Sequence, residues 1–235
     1  MGRAAVSGGV EAIVATPHVS GNYQNDPLTF PGRVADVQAA LDEAGIPLRV
    51  HVGAEVSHAM FHDLSEEALR ACGLGGGKWL LFEPPHTGPA PFIDRMVYDL
   101  QLKGFSVVLA HPERTGAFQR DVGLLQKLVD QGCLCSVTAG SAVGQFGGTV
   151  KRFTAELFAG GLVHNLASDA HDAEYRSPAL QPTLEWAVAE TPELGDWLDY
   201  LTIEVPEAIL AGAMPPGGPP VIEPKRGLLG RLRRR

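Results

Sequence analysis

The sequence predicts an α/β fold in which parallel strands alternate with crossover helices. Six short runs are rich in apolar and β-branched residues, at positions 11–16, 48–53, 79–82, 105–110, 134–138 and 162–167. The stretches between several of these runs show helical spacing of apolar residues, and a glycine often follows where the helix would end. Regular alternation of this kind is typical of a parallel sheet, because each next strand needs a crossover connection to lie beside the last one.

Individual helices are indicated by apolar residues three and four positions apart. Val34, Val37 and Leu41 follow this spacing between the first two runs, and Leu124 and Leu128 follow it between the fourth and fifth. Gly45, Gly104, Gly132 and Gly161 are the predicted helix-ending glycines.

Composition favours one large domain inside the cell. The chain has 235 residues, of which 45% are hydrophobic, which is enough for a single sizeable core. No apolar run approaches the roughly 20 residues needed to cross a bilayer, and the first residues lack the pattern of an export signal. Cys72, Cys133 and Cys135 are an odd set without the spacing of a disulfide framework. We therefore expect free thiols and a cytoplasmic location.

The last part of the chain divides into a helical region and a tail. Residues 179–212 show helical character, and Trp186 and Trp197 within them are predicted to pack on the core. From Met214 onward proline and glycine dominate, and a short basic segment follows. The sequence therefore predicts a domain at residues 1–212 and a linker with a basic tail at residues 213–235. This tail is either solvated or makes peripheral contact with an anionic membrane or an acidic partner.

The charge distribution limits the classes of ligand. Residues 1–223 contain all 27 acidic residues and 13 of the 19 basic ones, a balance of −14. An acidic body repels nucleic acid, so we expect no nucleic-acid partner. A pocket that binds phosphate in such a body needs local positive charge from metal ions or from placed arginines.

Side chains that can bind metal follow the apolar runs. In a parallel α/β barrel the carboxyl ends of the strands meet at one edge, where catalytic groups gather. One imidazole or carboxylate after a strand is more often a hydrogen-bonded structural residue, but the joint pattern at equivalent strand ends favours a metal site. Imidazole and carboxylate without thiolate suit manganese, iron or zinc. The predicted ligands are His18, Glu55, Glu83, His111, Asp169 and His171.

The other five histidines are predicted to lie outside the ligand set. Two lie in the middle of a predicted strand, where core or barrel-wall positions are expected, and three fall in loops that border the mouth of the site. These residues are His51 and His164, then His58, His62 and His86.

Five motifs in fixed order resemble a known family. They are Thr-Pro-His at 16–18, Gly-Ala-Glu at 53–55, the strand-ending Glu83, His-Pro-Glu-Arg at 111–114 and Ser-Asp-Ala-His at 168–171. This order resembles the metal-dependent protein tyrosine phosphatases of the polymerase-and-histidinol-phosphatase (PHP) superfamily that are associated with bacterial capsule and exopolysaccharide loci. The resemblance covers roughly residues 1–212.

The resemblance implies a fold and a set of roles. The fold is a distorted parallel (β/α)7 barrel, and the site holds up to three metal ions, usually manganese. Glu55 resembles the carboxylate that bridges two metals, Glu83 and His111 resemble further ligands of the second metal, and Asp169 resembles a ligand of the first. His18 and His171 resemble ligands of the third metal. Arg114 resembles the arginine that grips the substrate phosphate, and the predicted catalytic residues are Arg114, Arg176 and His171.

The start of the chain departs from the family pattern. The family opens with a strand that carries Asp-x-His-x-His, and nothing here matches it; residues 1–9 instead resemble the helix that follows that strand. Two explanations are open, a native start about twenty residues earlier or a shortened protein with impaired catalysis. We expect the family's first barrel strand to be missing from this sequence.

The predicted function is hydrolysis of phosphotyrosine on a protein by a metal-dependent phosphatase, in the regulation of capsule or exopolysaccharide synthesis. A bacterial tyrosine kinase of polysaccharide assembly is the predicted partner. The alternatives are a small-molecule phosphatase of the histidinol-phosphate type and an inactive, truncated regulatory homologue.

Overall fold

A computed structural model describes residues 1–90 and 92–223. All six apolar runs contain a strand, so the predicted alternation of strands and helices is confirmed. The described strands are β1 (Ala12–Ala15), β2 (His18–Val19), β3 (Arg49–Val52), β4 (Glu55–Ser57), β5 (Trp79–Glu83), β6 (Ser106–Ala110), β7 (Leu134–Thr138) and β8 (Asn165–Ala167). The described α-helices are α1 (Gly2–Ser7), α2 (Phe30–Glu43), α3 (Glu66–Ala71), α4 (Ile93–Leu102), α5 (Gly116–Arg120), α6 (Val122–Asp130), α7 (Ala139–Ala142), α8 (Gly148–Ala159), α9 (Gln181–Glu190) and α10 (Val205–Leu210).

All strand pairs are parallel, and the strands lie side by side in chain order. The larger sheet has the order β2-β4-β5-β6-β7-β8, and β1 pairs with β3 in a separate two-stranded ladder. β1 leads into β2 and β3 leads into β4, so each of these two strand paths is divided by a short break. The structure therefore establishes an α/β fold with parallel sheets.

The two breaks lie beside each other. Pro17, which has no N–H to give to a ladder, occupies the first break, and its carbonyl accepts a hydrogen bond from the Glu55 N–H at 3.1 Å. Gly53 occupies the second break, where a Cβ atom would lie 2.8 Å from Val14 Cγ1. Glycine permits this close approach, after which β2 and β4 begin with His18 paired to Glu55.

The core lies on both faces of the central strands. Leu80, Val107 and Leu109 are fully buried, and helices cover the sheet as expected for parallel strands. Phe82 stacks on Phe61 with ring centroids 4.8 Å apart. This apolar body supports the carboxyl ends of β5 and β6.

Residues at the two edges of the larger sheet approach each other. The ring of His18, on β2, lies 5.7 Å from the ring of His171, which follows β8. In a separate contact, the N–H of Gln181 donates to the carbonyl of Gly8 at 3.0 Å, which joins the end of α1 to the start of α9. The start of the chain and the region after β8 are therefore in contact.

The helical region after residue 179 corrects one prediction. Trp186 is 58% exposed, so the prediction that it packs on the core is wrong; Leu184 and Ala187 face inward on α9, and Trp186 lies on the other side of that helix. Trp197 does pack against the core and contacts Tyr200 edge-on at 5.7 Å. None of the described helices combines the length and apolar character needed to cross a bilayer.

The segment after residue 212 contacts the domain. Trp79 Nε1–H donates to the Ala213 carbonyl at 3.0 Å. Ile222 is buried, and its N–H donates to the Phe158 carbonyl at 3.1 Å. The basic tail from Lys225 onward, with its predicted membrane contact, lies outside the described residues.

Candidate metal centre and phosphate site

The predicted site residues surround one cavity at the carboxyl ends of the strands. Glu83 ends β5, His111 follows β6, Asp169 follows β8, and Glu55 and His18 begin the segments after the two breaks. The cavity has a volume of about 310 Å³, and its lining includes His18, Tyr23, Glu83, His86, His111, Arg114, Asp169, His171 and Arg176. Glu55 is 4% exposed and contacts the lining residue His111.

The ligand atoms of the centre lie close enough to share cations. Glu55 Oε1 lies 2.8 Å from His111 Nε2 and 3.9 Å from His18 Nδ1. Glu83 Oε1 lies 4.0 Å from His111 Nε2. His18, Glu55 and Glu83 each offer one atom within 4.8 Å of the others, which is a suitable donor set for a transition metal.

His86 lies beside this centre, although the sequence indicates only a loop residue at the mouth. Its Nε2 is 3.0 Å from Glu83 Oε1, and its ring stacks on that of His111 with centroids 5.0 Å apart. Glu83, His86 and His111 form a second group with ligand atoms within 4.8 Å. The sequence signal was weak because His86 follows a Pro-Pro pair in a connection rather than a strand.

Burial gives the central groups unusual pKa values. Desolvation, with the nearby charge of Glu83, raises the pKa of Glu55 to about 7. Burial, together with the positive charge of Arg114, lowers the pKa of His111 to about 3, which keeps its imidazole neutral. Burial also pushes the pKa of Glu83 upward, but the hydrogen bond from His86 brings the pKa below its usual value. A cation is bound by neutral imidazole and by deprotonated carboxylates. Its charge would offset the repulsion between Glu55 and Glu83.

Two site residues have left-handed backbones. His111 has a φ of 32° and Asp169 a φ of 49°, a region that residues other than glycine rarely adopt. The His111 N–H donates to the Ser136 carbonyl at 2.8 Å, which fixes this turn against β7. Strain of this kind at a strand end is common where a side chain must be aimed into a site.

Two arginines meet at Asp169 on the cavity wall. Arg114 Nη2 donates to Asp169 Oδ2 at 2.6 Å, and Arg176 Nη2 donates to the same oxygen. Both side chains are largely buried, with 14% and 29% of their surface exposed. These two arginines supply the local positive charge that a domain with a net negative charge needs in order to bind phosphate.

His171 is the most loosely held of the predicted residues. Its side chain is 39% exposed, and its Nδ1 lies 3.8 Å from Asp169 Oδ1. The residue reaches the cavity, but its contacts are with Asp169 and the His18 ring rather than with Glu55 or Glu83.

Glu113 contributes to the site without facing the cavity. It is fully buried, and its Oε1 accepts hydrogen bonds from the Thr138 N–H at 3.1 Å and the Ser141 hydroxyl at 2.7 Å. The carboxylate thereby attaches the turn that carries Arg114 to the end of β7. The sequence places Glu113 directly before Arg114, which is the signal that could have indicated this role.

The fold and the centre together define a class: parallel α/β proteins with a histidine–carboxylate cation site at the strand ends and arginines beside it. A family model described as "Capsular polysaccharide synthesis, CpsB/CapC" matches residues 1–211. The chain therefore belongs to the CpsB/CapC family.

Individual relatives agree with the family. The tyrosine-protein phosphatase YwqE of Bacillus subtilis (strain 168) is 35% identical over 233 residues, which cover 98% of this chain and 90% of YwqE. CapC of Staphylococcus aureus is 28% identical over 177 residues, 74% of this chain and 69% of CapC. A solved structure from work on YwqE and on CpsB of Streptococcus pneumoniae, described as unique metal-dependent tyrosine phosphatases, has a TM-score of 0.81 and 31% identity. That match covers 97% of this chain and 90% of the other.

Proposed function

We propose that this chain is a metal-dependent phosphatase that hydrolyses phosphotyrosine on a protein. One observation carries the proposal: a histidine–carboxylate cluster and two arginines lie around the same cavity. Cations and arginines are the two kinds of positive charge that bind and activate a phosphate ester. Membership of a family whose relatives are named as tyrosine phosphatases supports this choice of reaction.

The donor set fits divalent metal ions, with manganese first and iron or zinc as alternatives. The residues that would hold them are His18, Glu55, Glu83, His111, Asp169 and His171, for up to three ions. The buried position of Glu55 and its raised pKa support this assignment, because a cation nearby removes the cost of charging that carboxylate. When bound, the ions supply positive charge that polarises the phosphate and lowers the pKa of water.

Arg114 and Arg176 bind and orient the phosphoryl group. Each guanidinium offers paired N–H donors that match two phosphate oxygens, and partial burial strengthens these charge-assisted bonds. The phenol of tyrosine has a pKa near 10, so its oxygen leaves with less help from an acid than an alcohol needs. Tyr23, which lines the cavity and stacks on His18 at 5.3 Å, borders the space for the substrate ring.

The proposal also includes the biological role, the cellular location and the fold type of the enzyme. The family description supports a role in capsule or exopolysaccharide synthesis, with a bacterial tyrosine kinase of that assembly as the substrate. The three free, buried thiols support a cytoplasmic location. The order of strands and the approach of His18 to His171 support a barrel of the PHP type.

The test is release of phosphate from a phosphotyrosyl peptide, with histidinol phosphate as the competing substrate. We expect manganese to support hydrolysis of the peptide, a strong chelator to remove it, and added manganese to restore it. Arg114→Ala should lower turnover while the bound metal per chain stays unchanged; exposed Arg95→Ala on α4 is the matched control. Faster hydrolysis of histidinol phosphate would reassign the substrate class, and full activity with chelator present would remove the metal from the proposal.

A further inference from the structure

Phe146 contacts both arginines of the phosphate site. Its ring lies 4.8 Å from the guanidinium carbon of Arg114 and 5.9 Å from that of Arg176. Both distances fall within the range in which an aromatic face attracts a cation. Phe146 is partly buried and follows β7 in the connection to α8, so it belongs to neither of the segments that carry the arginines.

The two guanidinium groups share one carboxylate oxygen, so the contact of each with the Phe146 ring matters for their position. Asp169 Oδ2 accepts a hydrogen bond from both groups, so one negative charge faces two positive ones. Within the described part of the chain, the buried Nε atoms of Arg114 and Arg176 have no hydrogen-bond partner. Two like charges at one oxygen repel each other, and the negative face of an aromatic ring reduces that repulsion.

The backbone around Phe146 is attached to both arginine segments. On one side, Glu113, adjacent to Arg114, accepts hydrogen bonds from Thr138 and Ser141 at the start of this connection. On the other side, the Gln145 side chain donates to the Tyr175 carbonyl, next to Arg176, at 3.1 Å. The Gln145 N–H also donates to the Gly140 carbonyl at 2.9 Å. The ring is therefore presented to the two arginines from a connection that is fixed at both ends.

We infer that Phe146 is a positioning residue that holds Arg114 and Arg176 together as one phosphate-binding pair. This inference rests on the proposed function, since it assigns the pair to phosphate. Asp169 is itself a proposed metal ligand, so its carboxylate is shared between cation and arginines. The ring of Phe146 provides a contact that a bound cation does not compete for.

The experiment compares substitutions that distinguish the effect of the aromatic ring from the effect of side-chain volume. Phe146→Ala should raise KM for p-nitrophenyl phosphate, and raise the Kd for inorganic phosphate measured by calorimetry, by about fivefold to thirtyfold. The value of kcat should change less, and metal content and Tm should stay close to those of the unmodified chain. Phe146→Leu, which keeps apolar volume without the ring, should resemble Phe146→Ala, whereas Phe146→Tyr should retain phosphate binding. Tyr98→Ala, an exposed aromatic on α4, is the matched control.

The outcomes separate this inference from the proposed function. Tight phosphate binding in Phe146→Ala, or full function in Phe146→Leu, would overturn the positioning role, as would loss of metal from either variant. If Arg114→Ala weakens phosphate binding and Phe146→Ala does not, only the inference fails. If the unmodified chain binds phosphate but does not hydrolyse phosphotyrosine, the proposed function fails and the calorimetric comparison still decides the role of Phe146.

Discussion

The two halves of the sheet support the candidate centre in different ways. β5, β6 and β7 are continuous five-residue strands, and they carry Glu83 and His111 at or just beyond their carboxyl ends. The other half consists of two divided paths, in which β2 has two residues and β4 has three. The same kind of break buries Glu55 between neighbouring strands but leaves the His18 side chain 28% exposed on an outer strand. The position of the strand in the sheet, central or outer, therefore decides how deeply the side chain after the break is buried.

The largest expected effect is the loss of Glu55, the most central residue of the divided half. Glu55→Gln keeps the shape of the side chain but removes the charge that faces His111 and His18. Substituting a residue that only supports a metal ligand lowers metal affinity or activity roughly ten- to hundredfold. Because Glu55 is itself a proposed ligand, we expect a larger loss, about a thousandfold in kcat/KM, and a fall in bound metal. Metal analysis and peptide hydrolysis measure both, with Glu43→Gln at the exposed end of α2 as the control. Retention of metal and activity would mean that Glu55 is structural.

The next largest effect distinguishes the packing of the two halves. Leu109→Ala in β6 removes a fully buried side chain and should lower the free energy of unfolding by about 2–5 kcal/mol. Val14→Ala in β1 removes a partly buried side chain and should cost about 1 kcal/mol. Urea unfolding measures both values. Equal losses would show that the divided half is packed as tightly as the continuous one.

The sequence predicted the strands well but not the breaks between them. Each apolar run became a strand because β-branched residues suit a sheet that is buried on both faces. Pro17 and Gly53 were visible, but only the register shows that they lie side by side and shift pairing from one ladder to another. Trp186 was placed wrongly because composition cannot show which face of α9 turns inward.

The residues at the strand ends were predicted for the site, together with Arg114 and Arg176 beyond them, whereas His86 was not. The predicted ligands and arginines meet around one cavity because parallel strands end at one edge. His86 and Phe146 lie in connections, whose paths depend on contacts between distant residues such as Gln145 and Tyr175. The contacts of His86 with Glu83 and of Phe146 with the two arginines could be recognised only from the three-dimensional structure.

A smaller effect should appear in the pH dependence of the metal-free protein. The pKa of Glu55 is raised from 4.5 to about 7 in the folded state, so the folded chain keeps a proton that the unfolded chain loses between these values. The contribution of Glu55 to stability should therefore fall as pH rises from about 4.5 to 7, by about 3 kcal/mol, and then level off. The buried imidazoles of His111 and His164, whose pKa values are lowered to about 3 and about 4, contribute stability that rises with pH up to about 6.5. Urea unfolding in chelator at several pH values, compared between the unmodified chain and Glu55→Gln, measures the part of the pH dependence that Glu55 causes. The same pH dependence in the unmodified chain and in Glu55→Gln would contradict the raised pKa of Glu55.

The smallest effect is expected at His18, on the outer strand of the divided half. His18→Ala removes one ligand atom that lies 3.9 Å from Glu55 Oε1 and also removes the ring on which Tyr23 stacks. Because the side chain is partly solvated and Glu55 remains, we expect a loss of about tenfold in metal affinity, comparable with that of a supporting contact. Excess manganese should restore most of the activity of His18→Ala but little of that of Glu55→Gln, and a manganese titration of both variants measures the difference. His51→Ala, on β3 of the same half but outside the cavity lining, is the matched control. If excess manganese does not restore the activity of His18→Ala, the smaller role of His18 is contradicted. His18 on the outer strand would then be as necessary for metal binding as Glu55 on the buried one.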